Sequence, residues 1–429
     1  MRRSHRRIHI LVVLVALAAV LVVAAPAQAA PGDWWQFGYT AANTRFNPNE
    51  TTIGASNVGG LVVGARHAFT PGEYQHTTSG VAVANGFAYV QAWDESGFPR
   101  LLAYDIGSFQ SSEVWRSQTG KTCGNRSPTV HLGIVFVGSI ACRPSSQDGG
   151  VLAFDGATGQ LLWSFTYDPA QVVDTVGDAG NVAASNGVVY FRTYDSLVGS
   201  QEGNDNNLWA LDARTGAIKW HVQGEIGAYF GDPAVSGSRV FVGTTDGRLQ
   251  ARSAATGALL WSRPGAVARP FYGDAAPSVS GGVVYSVGVE AGTWRLFARS
   301  VDTGALRWKR ALTGAAGLAV AGGRVLVASS AGLSALDAAT GALRWRVAVA
   351  AAGSPAVANG LVYLGLQQGI GRLAPVGRGA AVAVRHGLLC SPVVSGGRLY
   401  VSGGTLVNGQ WVEVVDQFQL GTAAAGALS

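Results

Sequence analysis

Residues 208–220 run Leu208-Trp209-Ala210-Leu211-Asp212-Ala213-Arg214-Thr215-Gly216-Ala217-Ile218-Lys219-Trp220. Reduced to its fixed positions this is Ala-x-Asp-x-x-Thr-Gly-x-x-x-Trp. The Asp carboxylate can accept backbone N–H groups of a tight turn, and the Gly supplies positive φ. The motif therefore predicts two short strands around a turn. It returns as Ala153, Asp155, Thr158, Gly159 and Trp163, and as Ala335, Asp337, Thr340, Gly341 and Trp345. Serine replaces the Asp in two further copies, at Ser253 (closing on Trp261) and Ser300 (closing on Trp308). A copy lengthened by two runs from Ala103 to Trp115.

A second pattern, Pro-x-Val-x-x-Gly-x-Val-Tyr-Val, precedes each tail. It starts at Pro128, Pro233, Pro277, Pro355 and Pro392, and without proline at Val81, Val182 and Leu318. Its centre is a hairpin turn such as Asn85-Gly86, Gly281-Gly282 or Asn359-Gly360, residues that tolerate positive φ. Eight heads, each two strands followed by two more, predict an all-β, eight-bladed β-propeller with four antiparallel strands per blade. A solenoid is the rival, but its repeats lack four strands with alternating tight turns. The repeat tryptophans are expected to pack between neighbouring blades. After the eighth head only one strand, Trp411 to Phe418, remains. The segment Asn57–Val63 is expected to complete that last blade, which removes the exposed edges of an open ring.

Outside the repeats, Met1–Ala29 reads as a secretory signal peptide. It has Arg2, Arg3, Arg6 and Arg7, an apolar run from Ile8 to Ala25, and Ala27-Gln28-Ala29 as a small-x-small cleavage site. An uncleaved anchor is the alternative, since the run is long enough to span a bilayer. The propeller domain is expected over 30–420 and a flexible tail over 421–429, with no membrane span after cleavage. The 429 residues carry 31 basic and 25 acidic side chains, a net +6. Without the four leading arginines, 27 basic residues face 25 acidic ones. That near balance excludes the clustered basic face that nucleic acid requires. Charged residues are 13% of the chain and 12 Trp supply core, which excludes a disordered chain.

Chemistry is expected on one face. Strand alternation gathers the loops leading into each inner strand, together with the mid-blade loops, at one end of the ring; the Asn-Gly and Thr-Gly turns lie at the other. The lead-in loops of blades one to five carry Tyr74, His76, Asn125, Arg126, Asp178, Asn181, Tyr229, Asp232, Tyr272 and Asp274, whereas later ones are bland. These ten are the candidate ligand-binding residues, suited to a protein segment, a glycan or a polar small molecule. The short, uniform turns make the opposite face look structural. Cys123 and Cys142 are equidistant from the Leu132-Gly133 turn, so an unbroken hairpin register sets them side by side. Export favours a disulfide there, leaving Cys390 unpaired. The oxygen-rich run Glu202–Asn207 lacks the spacing of a calcium loop, and no histidines share metal-ligand spacing. No metal site and no catalytic residue are assigned.

The tail motif resembles that of the pyrroloquinoline-quinone (PQQ)-like, quinoprotein-type eight-bladed propellers over essentially the whole chain after Ala29. The run Trp34, Trp35, Gly38, Asn43-Thr44-Arg45-Phe46-Asn47-Pro48, Ile53, Asn57-Val58 and Leu61 resembles their dehydrogenase branch. The resemblance implies either a quinone-dependent alcohol dehydrogenase or a scaffold that helps assemble outer-membrane proteins. The dehydrogenases usually carry adjacent cysteines near the cofactor, and this chain has no Cys-Cys pair. The expectation is a secreted or cell-envelope binding or scaffold module with no cofactor. PQQ with calcium belongs only to the dehydrogenase alternative.

Overall fold

A computed structural model describes residues 30–69, 79–93, 99–108, 113–119, 122–141, 150–166, 177–195, 207–223, 232–244, 246–265, 276–314, 316–329, 331–349, 351–366, 374–376, 379–384, 391–407 and 410–421. The expected signal peptide, the tail beyond residue 421, Cys142, Cys390 and most lead-in loops lie outside the described residues. Among the described residues no helix is long and apolar enough to cross a membrane.

The described chain folds into eight sheets, one per repeat, in an all-β propeller. Blade four is the simplest: Ala234–Ser236, Arg239–Gly243, Arg248–Ser253 and Leu259–Pro264 follow one another antiparallel from the axis outward. Heads are the two inner strands and tails the two outer ones. Alternation along the strands buries small and branched residues between blades: Phe136 and Ala153 of blade two pack with Val189, Phe191 and Trp209 of blade three. The core is thus a set of inter-blade layers.

The tail motif is a staple between blades. The indole Nε1 of Trp115, Trp163, Trp220, Trp261 and Trp308 each donates to a carbonyl of the next blade, on Gly156, Ala213, Ala254, Val301 and Ala338. That acceptor is always the residue after the motif Asp or Ser. The same turn's glycine lies against the ring: a Cβ on Gly159, Gly216, Gly257, Gly304 or Gly341 would come within 3 Å of the preceding blade's Trp. Tyr89, Tyr190 and Tyr285 donate to three of the same carbonyls from the second strand. Burial pushes the Tyr190 phenol up to about 12. The motif Asp holds its own turn, as Asp337 Oδ1 accepts from Ala339 N, Thr340 N and Thr340 Oγ1 at 2.9–3.1 Å. Arg344 donates to the other oxygen at 2.6 Å, and with the Thr340 bonds holds that carboxyl at about 2.

Closure is as expected in kind but shifted in sequence. The strand that completes blade eight is Leu61–Phe69, outermost and antiparallel to Gln410–Leu420. Val58–Gly60 is a 3-10 turn instead of a strand; just before it the Asn57 side chain accepts from Gly54 N and donates to Thr52 O, closing a turn on the preceding loop. Asp416, 1% exposed, accepts two bonds at 2.6 Å from Arg66 of the closing strand, itself 42% exposed.

Two blades depart from the simple pattern. Blade seven has four repeat strands, but Gly379–Val384 runs parallel to Leu361–Leu366, with Ala374–Val376 outside it. Residues 361–391 contain no Asp-x-x-Thr-Gly turn to fix the usual hairpin. In blade two the register assumed for Cys123 and Cys142 does not persist. His131 faces Ile134 as expected, yet Asn125 faces Ser139 and Thr122 faces Ala141. Pro128 has no N–H, and the N–H groups of Arg126 and Ser127 turn to side chains of other blades, so the strand bulges there.

Candidate functional site

The residue just before each head occupies the same place in every blade: Gly80, Ser127, Asn181, Asp232, Ala276, Gly317, Ser354 and Ser391. At this place the inner strand starts, and in blades two, three and seven its N–H turns to a side chain of the next blade. Ser127 N donates to Asn181 Oδ1 at 2.8 Å, Asn181 N to Asp232 Oδ1 at 2.9 Å, and Ser354 N to Ser391 Oγ at 3.0 Å. Asn181 Nδ2 adds a bond to Asp232 Oδ2 at 2.7 Å. Upstream, Arg126 N donates to the buried Gln91 Oε1 of blade one at 2.8 Å, and Arg126 Nε donates to Ala179 O of blade three at 3.2 Å. A single hydrogen-bonded run therefore crosses blades one to four through Gln91, Arg126, Ser127, Asn181 and Asp232.

Three of the ten expected site residues, Arg126, Asn181 and Asp232, are brought together in that run. Asn125 and Asp178 are placed by their backbone on the short strands Thr122–Asn125 and Gly177–Ala179, beside the same run. Tyr74, His76, Tyr229, Tyr272 and Asp274 lie outside the described residues, as does Cys142. The described members hold blade to blade. Both Asp232 oxygens accept from Asn181, and Asn181 Oδ1 accepts from Ser127. Calcium takes six to eight oxygen ligands. Among the described residues no group of three His, Cys, Asp or Glu could hold a metal.

Residues 34–47 have a role that the sequence did not reveal. The channel-facing edge of each inner strand offers an unpaired N–H at the third head position, and this segment meets those edges in order. Trp34 O accepts from Val83, Trp35 O from Val130, Ala41 O from Val235, Ala42 O from Val279, Thr44 O from Val320 and Arg45 O from Val357, at 2.6–2.9 Å. The Gln36 amide bonds both backbone groups of Ala184, and Asn47 Nδ2 donates to Val394 O. One strap thus touches all eight blades. Tight pinches such as Arg45 N to Gly38 O, with positive φ at Tyr39, Asn43 and Arg45, let it turn inside the ring. The Arg45 guanidinium lies over the Phe37 ring at 4.1 Å. The only hint in sequence was that the eight heads leave donors with no partner of their own.

The strap divides the channel. On the lead-in side it leaves a cavity of about 20 Å³ beside Gln36, Thr40, Asn43, Asn181 and Asp232, room for one water. On the turn side lies a bowl of about 330 Å³. The strap floors it, and the head turns of blades two, three and four wall it. The face expected to be purely structural therefore carries the larger of the two cavities.

The family model described as outer membrane protein assembly factor BamB matches residues 32–198, 110–296 and 295–376. Over 239 residues the chain is 32% identical to the dehydrogenase subunit of a quinone alcohol dehydrogenase from Gluconacetobacter polyoxogenes, covering 52% of this chain and 23% of that one. It is 26% identical over 198 residues to outer membrane protein assembly factor BamB of Moranella endobia, covering 42% and 45%. The matched part thus spans less than half the length of these curated relatives. Among solved structures, BamB from Moraxella catarrhalis superposes with a TM-score of 0.58 at 17% identity, over 84% of this chain and 99% of that one. Quinohemoprotein alcohol dehydrogenase from Comamonas testosteroni gives 0.53 at 17%, over 94% and 82%. These two likenesses show the fold. The overlapping matches of the family model run from residue 32 to residue 376, and the chain belongs to the PQQ-like β-propeller family described as outer membrane protein assembly factor BamB.

Proposed function

We propose that this chain acts outside the cytoplasm as a non-catalytic binding or scaffold module, holding a protein segment, a glycan or a polar small molecule on its lead-in loops. The observation that carries the reading is the state of Asp232. Both its oxygens accept from Asn181 of the neighbouring blade, so this carboxylate ties blade to blade, and the chain has no adjacent cysteine pair of the kind the dehydrogenases usually carry. The leader Met1–Ala29 supports export. A relative named for outer membrane protein assembly supports a protein partner over a small substrate.

The test is reconstitution of the full chain with PQQ and calcium. The reading expects no quinone retained after dialysis and no dye-linked oxidation of ethanol. Chelator-sensitive alcohol oxidation would overturn it. On the binding side, Tyr229→Ala with Asp274→Ala should abolish capture of whichever ligand a peptide or glycan array yields. Unchanged capture would reduce the lead-in loops to solvated surface.

A further inference from the structure

We propose that the turn face carries a second binding site, for one neutral sugar unit, in the bowl between the head turns of blades two, three and four. This goes beyond the lead-in loops and does not depend on them. The bowl's volume of about 330 Å³ falls at the small end of small-molecule sites, roughly 300–1,000 Å³. No Asp, Glu, Lys or Arg is among the residues that line it. An ion entering would lose hydration and find no opposite charge on the lining itself; the one charge that acts there from outside the lining, among the described residues, is Arg214, on His131.

The polar groups present are neutral hydroxyls and amides. Thr40, Ser185, Asn186 and Ser236 line the bowl, and their side chains make no hydrogen bond within the described residues, so their donors and acceptors are available. His131 adds an imidazole whose Nε2 accepts from Gly187 N at 3.0 Å, which leaves the proton on Nδ1. Burial holds its pKa below the usual histidine value, so it is uncharged at neutral pH. Trp35, half-buried and tilted against Tyr39 with ring centroids 5.2 Å apart, lines the bowl together with Val130 and Val235. An aromatic side chain among neutral hydroxyl and amide groups matches a pyranose: C–H groups on one face and hydroxyls at the edge. The strap and head hairpins supply a rigid frame, which reduces the ordering cost of binding.

The unit can be a free monosaccharide or the end of a glycan, and titration calorimetry on the full chain separates them. D-glucose, D-galactose, N-acetylglucosamine and maltotriose are the probes, with glucuronate as the charged control. At least one neutral sugar should bind saturably, with glucuronate at least tenfold weaker. Equal affinity for monosaccharide and trisaccharide assigns the free sugar; a tenfold gain with maltotriose assigns a chain end. Asn186→Gly keeps the positive φ of that turn (φ 52) while removing the amide, and should weaken binding at least fivefold. Ser185→Ala with Ser236→Ala should do the same. Lys309→Ala, exposed on the outer strand of blade five, should leave sugar affinity unchanged. No saturable binding of any neutral probe, or glucuronate binding as well as the best of them, would overturn the site. So would binding that survives both turn variants.

Discussion

Replacing Gly216 by Ala tests the inter-blade staple most directly. Gly216 sits at φ +72, and a Cβ there would lie 2.8 Å from Cδ2 and 2.9 Å from Cε3 of Trp163. The left-handed backbone alone costs a non-glycine residue about 1–2 kcal/mol. The contact adds an overpacking cost of roughly 1–3 kcal/mol. The ring cannot simply slide away, because its Nε1 is tied to Ala213 O at 3.1 Å. Gly216→Ala should therefore lose about 2–5 kcal/mol. Gly187 is the internal control: it has φ +75, and its Cβ would meet nothing within 4 Å. Gly187→Ala should lose only about 1–2 kcal/mol. In a Trp163→Leu background the excess at Gly216 should vanish, a coupling of about 1–3 kcal/mol between the two positions. Urea unfolding followed by both circular dichroism and fluorescence measures all four. Equal losses at Gly216 and Gly187, or an excess that persists beside Leu at position 163, would refute the staple.

Arg66→Ala should open the ring closure. It removes the bidentate partner of the buried Asp416, and with Arg66 nearly half exposed the loss is set at about 2 kcal/mol, read from the urea midpoint. Arg66→Lys should recover part of it. His131, whose folded-state pKa is depressed by burial, binds its proton more weakly folded than unfolded. Stability should therefore be full above about 6.5 and fall as the pH drops below that value. His131→Gln should flatten this part of the profile, and a slope unchanged in that variant would sink the assignment. The shifted register still sets Thr122, next to Cys123, opposite Ala141, next to Cys142, and with export favouring oxidation these two of the three cysteines are expected to pair. Thiol counting on denatured, unreduced protein should give a single free thiol, with three ruling out the bridge.

The blades were legible because their motifs act locally. Asp212, Thr215 and Gly216 specify a turn from within a few residues, and Trp220 announces where the outer strand must lie. Blade seven shows the converse: without the motif, its outer strands take another order. The closing strand was found only approximately, since the turn that Asn57 closes depends on its bonds to Thr52 and Gly54 and not on any strand pattern. Among the polar residues on the lead-in loops, Asn181 and Asp232 meet each other across 51 positions of sequence, which no local pattern encodes. The strap was invisible for the same reason. Its partners lie on every blade, so its aromatic-rich sequence has no period of its own.

That strap also has a consequence for how such a ring can change over time. It is made before any blade, and every surface it needs is made later, so its docking is complete only once the eighth inner strand exists. Its successive carbonyls then work as a gauge. Between Ala41 and Arg45 a contact falls to each blade at nearly every residue, while Phe37–Thr40 loops out to take up slack between blades three and four. A ring that gained or lost a repeat would leave this gauge one contact short or one too long. Repeat duplication, the easiest way for a propeller to grow, is therefore penalised unless the leading segment is rewritten in the same step.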